Sequence, residues 1–177
     1  MARILHKLPV PQEDAVTFVR EEMVRVRAFE VVAWVSLAPR SVYDPARLPR
    51  FPVLLDTGHT HNFSIQEQHL ERWAGLRTEN LSLGRGEVRH QGQRLTLRAA
   101  ALWIHPNERG TWERVAGRPP YRLYFPEGIL VYPSGTDFPR LPLLGLRAIL
   151  TNKLRLTVDG DRGLVSLRSG PWWWPFA

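Results

Sequence analysis

The chain has 177 residues, of which 44% are hydrophobic, so one domain with a sizeable core can form. It contains no cysteine, which excludes disulfide bonds, thiolate metal sites and a cysteine nucleophile. The net charge is +7, but the basic residues are scattered along the sequence, so nucleic acid is not expected as the principal partner. Residues 1–22 lack a secretory signal and no stretch resembles a membrane span, so we expect a cytoplasmic protein.

The predicted elements begin after a proline-containing N-terminal segment. Residues 1–22 are predicted to be an N-terminal extension, residues 23–170 a single domain and residues 171–177 an aromatic tail. Residues 23–37 are rich in valine and predict one long strand or a bent pair. After a loop, residues 53–55 are wholly apolar and predict a short buried strand.

The middle of the chain predicts a short helix followed by a hairpin. Residues 66–75 can form the helix, with its apolar side given by Leu70, Trp73 and Ala74. Residues 81–104 alternate in a strand-like way, and Gly84 and Gly86 are assigned to a turn because glycine suits tight turns. Gly92 is assigned to a second turn or a bulge.

The last third of the chain predicts one helix and one hairpin. Residues 143–152 are the best helix candidate, beginning after Gly145. Residues 154–167 predict a hairpin that turns at the Asp- and Gly-rich residues 159–163. Fifteen prolines and thirteen glycines leave little room for longer helices, so the fold class is mostly β with one or two short helices.

The candidate for chemistry is the triplet Asp56, Thr57 and Gly58. The buried strand 53–55 delivers the aspartate directly into a turn, where the glycine can adopt a positive φ. Thr57 places a hydroxyl close to the carboxylate. Such donors are needed because burying a charge without partners is costly.

Residues 54–65 resemble the active-site loop of the retropepsin-like aspartic proteases, the family of the retroviral enzymes and their bacterial relatives. Residues 143–150 resemble the family's apolar-apolar-Gly segment, which passes beside the active-site loop and opens the C-terminal helix. Residues 154–167 resemble its closing hairpin, and all three segments agree with the family in order and rough spacing. The resemblance implies a single-lobe, closed β-barrel-type domain.

The resemblance also implies an aspartic endopeptidase that acts on peptides or unfolded proteins without a cofactor. Two aspartates that share one proton activate a water molecule, which attacks the peptide carbonyl. The sequence has no second Asp-Thr-Gly or Asp-Ser-Gly, so the pair requires a homodimer in which each chain contributes Asp56. In the family the threonine after the aspartate bonds across the two-fold axis, so Thr57 inherits that role.

The family covers its substrate with a glycine-bearing hairpin, the flap. By position the flap is residues 81–95, with Gly84 and Gly86 nearest its tip and in contact with the substrate. Turn chemistry alone also explains these two glycines.

The chain departs from the family directly after the triplet, where His59 replaces the usual Ala or Ser and is followed by Thr60 and His61. We place both histidines among the substrate-binding residues. The imidazole of His59 could crowd the site, or could pair with Asp56 and lower the pKa of its carboxyl. We therefore expect an assembled site with atypical pH dependence. The alternative is a non-catalytic dimerisation or peptide-binding module of the same fold.

Two further features have alternative interpretations. His59, His61 and His69 suggest a metal site, but no cysteine or histidine-glutamate helical motif completes a ligand set, so no metal is predicted. The aromatic residues 172–176 are interpreted as an anchor on a partner subunit or as a cover for the chain's own core.

Overall fold

The computed structural model describes residues 2–135 and 140–170. Strands make up 47% of the residues and helices 10%, so the mostly β prediction is confirmed. Within the described ranges, no helix is long and apolar enough to cross a membrane. The aromatic tail predicted at residues 171–177 lies outside the described residues.

Fourteen strands in the described ranges form one large sheet and three small ones. The strands are β1 (Arg3–Pro9), β2 (Ala15–Val19), β3 (Glu22–Val26), β4 (Val32–Pro39), β5 (Phe51–Asp56), β6 (Phe63–Gln66), β7 (Leu83–His90), β8 (Gln93–Arg98), β9 (Ala100–Ile104), β10 (Tyr121–Leu123), β11 (Leu130–Tyr132), β12 (Leu143–Gly145), β13 (Leu154–Asp159) and β14 (Leu164–Ser169). The large sheet has the order β10-β9-β4-β5-β12-β6-β11 and curls into half a barrel. A retropepsin-like closed barrel remains a prediction.

The central strands are buried on both faces. All five residues of β9 are buried, and β5 contributes Phe51 and Val53 to the core. In a sequence such strands appear as continuous apolar runs and not as an alternation of apolar and polar residues. The continuous run at residues 53–55 therefore marks a central strand of the sheet, as the sequence indicated.

The N-terminal residues belong to the same body as the rest of the chain. Strand β1 pairs with β14 in the sheet β1-β14-β13, and its Leu5 and Leu8 are in the core. Strands β2 and β3 form a hairpin that crosses the boundary predicted at residue 23. Residues 3–22 are thus not a separate extension. The segment 23–37 is a broken pair of strands, β3 and β4, with Phe29 at a φ of 64° between them.

The hairpin β7–β8 corrects the predicted position of its turn. The turn lies at Gln91 and Gly92, whose φ angles of 48° and 80° are those that tight two-residue hairpins need. Gly84 and Gly86 lie within β7, at the opposite end of the hairpin. A side chain at Gly84 would place its Cβ only 2.4 Å from the carbonyl oxygen of Glu127, so this glycine serves a close backbone approach.

The helices and the last hairpin agree with the sequence. Helix α1 (Glu67–His69) continues as a π-helical turn over Leu70–Ala74 and ends at Gly75, which has a φ of 69°. Helix α2 (Leu146–Thr151) begins directly after Gly145. Strands β13 and β14 pair from Asp159 and Leu164, so their turn spans the predicted residues.

A histidine is buried beside the large sheet. His105 is only 5% exposed, and its Nε2 atom shares a hydrogen bond of 2.8 Å with the Oγ atom of Ser36. Burial, together with the charges of the neighbouring Arg50 and Arg114, lowers the pKa of His105 from 6.5 to about 4. The imidazole is therefore neutral at pH 7.

We expect His105 to make the fold sensitive to acid. Between pH 6.5 and about 4, His105 is protonated in the unfolded chain but not in the folded protein. The free energy of unfolding therefore falls as the pH falls. The loss from this group is about 3 kcal/mol and is complete below its folded pKa. Urea unfolding at several pH values should show a shallower pH dependence for His105→Gln. Equal pH dependence in the two chains would contradict this prediction.

Candidate functional site

Asp56 is the last residue of β5, and β12 runs parallel beside it. The pairing aligns Leu143 with Leu54, Leu144 with Leu55 and Gly145 with Asp56. The predicted position of this apolar-apolar-Gly segment, beside the triplet and just before a helix, is therefore confirmed. Two segments that lie about ninety residues apart in sequence meet at the aspartate.

Strand β12 fills the place between two strands that are consecutive in the chain. It is parallel to β5 and antiparallel to β6. Its C-terminal end holds the loop after Asp56 through two backbone hydrogen bonds: the N–H of Gly145 donates to the oxygen of Asn62 at 3.1 Å, and that of Leu146 donates to the oxygen of His59 at 3.2 Å. The loop that follows the triplet is thus fixed by the start of α2.

The carboxylate of Asp56 is held by the backbone of its own turn. The N–H of Gly58 donates to Oδ1 at 2.9 Å, and the N–H of His59 donates to the main-chain oxygen of Asp56 at 3.2 Å. The expected positive φ at Gly58 is wrong, since Gly58 is not among the residues with positive φ. Its small size matters instead, because a Cβ there would lie 3.3 Å from Oδ1. Thr57 is exposed next to the carboxylate.

The ring of His59 bonds to a serine and not to Asp56. Its Nε2 atom lies 2.6 Å from the Oγ atom of the fully buried Ser64 in β6. Burial lowers the pKa of His59, His61 lowers it further, and the charge of Asp56 acts in the opposite direction. At neutral pH the imidazole is therefore uncharged. The expected pairing of His59 with the carboxylate is replaced by this hydrogen bond.

His61 lies beside His59, whereas His69 has a different environment. The rings of His59 and His61 meet edge to face with centroids 5.4 Å apart. Burial, and then the charge of Arg147, lower the pKa of His61. His69 instead stacks on Trp73 at 4.0 Å. Across residues 2–135 and 140–170, no three His, Cys, Asp or Glu side chains gather in a way that could hold a metal ion.

A chain of polar contacts joins His59 to the β7–β8 hairpin. Ser64 also shares a hydrogen bond with the hydroxyl of Tyr132, whose pKa is raised by burial. The ring of Tyr132 meets that of His90, next to the hairpin turn, at a centroid distance of 4.7 Å. The sequence did not point to these three residues as part of the site. The usable signal in it is Ser64, a polar residue inside an apolar strand segment.

The hairpin is also attached near the site at its other end. The N–H of Arg85, between Gly84 and Gly86, donates to the oxygen of Glu127 at 3.0 Å. The carboxylate of Glu127 forms an ion pair of 2.6 Å with Arg147 on α2. The two glycines are thus linked to the helix that follows Gly145. They do not lie at the hairpin tip, where substrate contact was predicted.

A cleft of about 430 Å³ lies beside Asp56 and Thr57. Its other walls are mainly apolar, and they include the exposed side chains of Phe29 and Val158.

Comparisons of the chain with protein-family models, with curated proteins and with solved structures give no match.

Proposed function

We propose that this protein is a homodimeric aspartic peptidase, in which the two Asp56 carboxylates activate a water molecule for attack on a peptide bond. The observation that carries the proposal is the placement of Asp56 at the end of a buried strand, paired with Gly145 on an inserted parallel strand. This is the arrangement that the resemblance to retropepsin-like proteases implies for their active-site loop. The uncharged imidazole of His59 points to Ser64 and leaves the carboxylate without a cationic partner there.

The mechanism needs two carboxyl groups, one ionised and one protonated. Two aspartates that meet across a two-fold axis cannot both ionise readily, so they share one proton. The ionised carboxylate removes a proton from water as the water attacks the carbonyl carbon, and the protonated carboxylate donates to the carbonyl oxygen. A proton then passes to the leaving nitrogen, and both products dissociate without a covalent enzyme intermediate.

The second carboxylate comes from a second copy, because the sequence holds one Asp-Thr-Gly triplet. The surface around Asp56 supports this assignment. Phe29 and Val158, which line the adjacent cleft, are 71% and 65% exposed. Burying such side chains against a partner is favourable by roughly 25 cal/mol per Å² of apolar surface. Thr57, which is exposed and lines the same cleft, can then bond across the axis.

The β7–β8 hairpin is proposed as the flap. Its turn lies next to His90, and the contacts from His90 through Tyr132 and Ser64 lead to His59 beside the triplet. In this arrangement His59 and His61, which follow the triplet and contact each other, are assigned to substrate binding. Both ends of the hairpin are held near the site, the turn end by the contact of His90 with Tyr132 and the other end by the hydrogen bond from Arg85 to Glu127.

A second function is favoured by one observation, the partly buried imidazole of His59 where the family carries a small residue. A ring in this place reduces the room for a substrate backbone. The alternative is therefore a non-catalytic dimerisation or peptide-binding module of the same fold.

Cleavage by mixed chains separates these functions. An unfolded, fluorescently labelled protein is incubated between about pH 3 and 8 with the wild-type chain, with Asp56→Asn, and with equal amounts of both after subunit exchange. Random exchange leaves one quarter of the dimers with two aspartates, so activity per wild-type chain should fall to about half.

Each outcome of the mixing experiment is decisive. A fall to about half supports a shared carboxylate pair. Unchanged activity per wild-type chain shows that each chain acts alone, which contradicts the homodimeric mechanism. No cleavage by a wild-type dimer at any pH favours the binding module.

A further inference from the structure

A second pocket lies away from Asp56 and shares no lining residue with the cleft beside it. It has a volume of about 380 Å³ and is walled by Leu5 and Leu8 of β1 and by three aromatic side chains: Phe18, Trp34 and Trp112. Arg50, Arg114 and the buried His105 provide its charged and polar lining. Pockets with apolar walls and a few convergent polar groups are typical small-molecule sites.

The hydrogen-bonding groups that remain free around this pocket are donors. The Nδ1 atom of His105 is buried and has no hydrogen-bond partner among the described residues. Its Nε2 atom can accept the Ser36 hydroxyl proton, which leaves Nδ1–H to donate. The amide of Asn107 is fully used, donating to His6, Glu108 and Thr111 and accepting from the N–H of His6. The indole N–H of Trp112 donates to Pro9 at 2.8 Å.

The charge around the pocket is positive and is not compensated by the described residues. Arg50 and Arg114 form no ion pair with a described carboxylate, and none of the described lining residues is acidic. Partial burial lowers the pKa of Arg50, and the guanidinium of Arg114 lies close enough to act in the same direction. Two like charges and an unused donor at one pocket favour an anion.

We propose that this pocket binds an organic monocarboxylate with an apolar or aromatic body. The planar carboxylate accepts from the guanidiniums of Arg50 and Arg114 at the exposed side and from Nδ1–H of His105 at the buried side. The body packs between Trp34 and Trp112. A phosphate fits less well, because phosphate sites commonly use free backbone N–H groups. Here the N–H of His105 already donates to the carbonyl oxygen of Trp34, and Pro106 has no N–H.

The test uses phenylacetate as the probe and phenylacetamide as its uncharged match. Binding is followed by nuclear magnetic resonance as saturable shifts of the indole N–H signals of Trp34 and Trp112. We expect phenylacetate to bind in the millimolar range or tighter, and the amide to bind about tenfold more weakly. Arg50→Gln and Arg114→Gln should each weaken the binding of phenylacetate about threefold to tenfold, and the double variant should weaken the binding more.

The control is Arg89→Gln, which removes the same charge from the exposed face of β7 and should leave the affinity unchanged. Both pocket arginines are exposed and unpaired among the described residues, so their replacement should not affect folding. The proposal is overturned if phenylacetate gives no saturable shift below about 10 mM. Equal affinity for the amide, or unchanged affinity in the double arginine variant, also overturns it.

Discussion

Purified Asp56→Asn is expected to cleave an unfolded protein at about one thousandth of the wild-type rate or at a still lower rate. In the proposed homodimer this single substitution removes both carboxylates, and with them the base that activates water and the acid that polarises the carbonyl. General acid–base groups each contribute about 10²- to 10⁴-fold to the rate. The measurement is kcat/KM at the pH at which the wild-type chain is most active.

The substitution should spare the fold, so a loss of rate would report on chemistry. The Oδ1 atom of asparagine can still accept the 2.9 Å hydrogen bond from the N–H of Gly58. The urea midpoint should therefore change by the equivalent of about 1 kcal/mol or less. Asp161→Asn, the same chemical change at an exposed turn residue between β13 and β14, is the matched control and should keep full activity. Equal cleavage by Asp56→Asn and wild type would refute the carboxylate mechanism.

Gly145→Ala should destabilise the fold by about 3 kcal/mol or more. The backbone of Gly145 has a φ of −86° and a ψ of 168°, which any residue can adopt, so the constraint is space. An added Cβ would lie 2.0 Å from the carbonyl oxygen of His61 and 2.5 Å from that of His59. Both oxygens belong to backbone, which cannot rotate away as a side chain can. The loop after Asp56 or strand β12 must move.

Urea unfolding of Gly145→Ala measures this cost, with Gly160→Ala as its control. Gly160 has no positive φ, and apart from its chain neighbours no atom of the described residues lies within 4 Å of a Cβ built on it. The control should be neutral or slightly stabilising, because alanine reduces the conformational entropy of the unfolded chain. A Gly145→Ala chain that unfolds at the wild-type urea concentration would contradict the close packing described for β12.

The central features of the site could be predicted because their sequence signals are local, or because the segments follow one another in the order that the family resemblance implies. The apolar residues 53–55 and the triplet that follows define the end of β5. Residues 143–145 and the helix after them take the position that the family resemblance gave them. The turn between β13 and β14 follows from its glycines and aspartates.

Other features could not be predicted because one residue type serves different physical purposes. Gly84 and Gly86 suggested a turn, but Gly84 allows close backbone approach to Glu127, and the turn uses Gln91 and Gly92. A sequence shows that glycine is present and not whether a positive φ or a lack of space requires it. Likewise, the sequence suggested that His59 crowds the site or pairs with Asp56, and it did not indicate that the imidazole bonds to Ser64 of the neighbouring strand.

Pairings between distant segments were missed for a topological reason. Strand β1 pairs with β14 across nearly the whole chain, and nothing in residues 3–9 indicates that partner. The contacts of Ser64, Tyr132 and His90 likewise join three strands that are far apart in sequence. Periodicity indicates which residues are buried, but it does not indicate which strands become neighbours.

The position of β12 between β5 and β6 has a consequence for protein synthesis. Both flanking strands leave the ribosome long before residues 143–145 are made. In the folded protein β5 and β6 lie about 10 Å apart, and the position between them stays unfilled until β12 is available. Until β12 enters that place, the loop carrying Asp56 lacks the hydrogen bonds from Gly145 and Leu146. A nascent or prematurely terminated chain therefore lacks the native form of the loop after Asp56. Whatever chemistry Asp56 performs is withheld until nearly the entire domain has been translated.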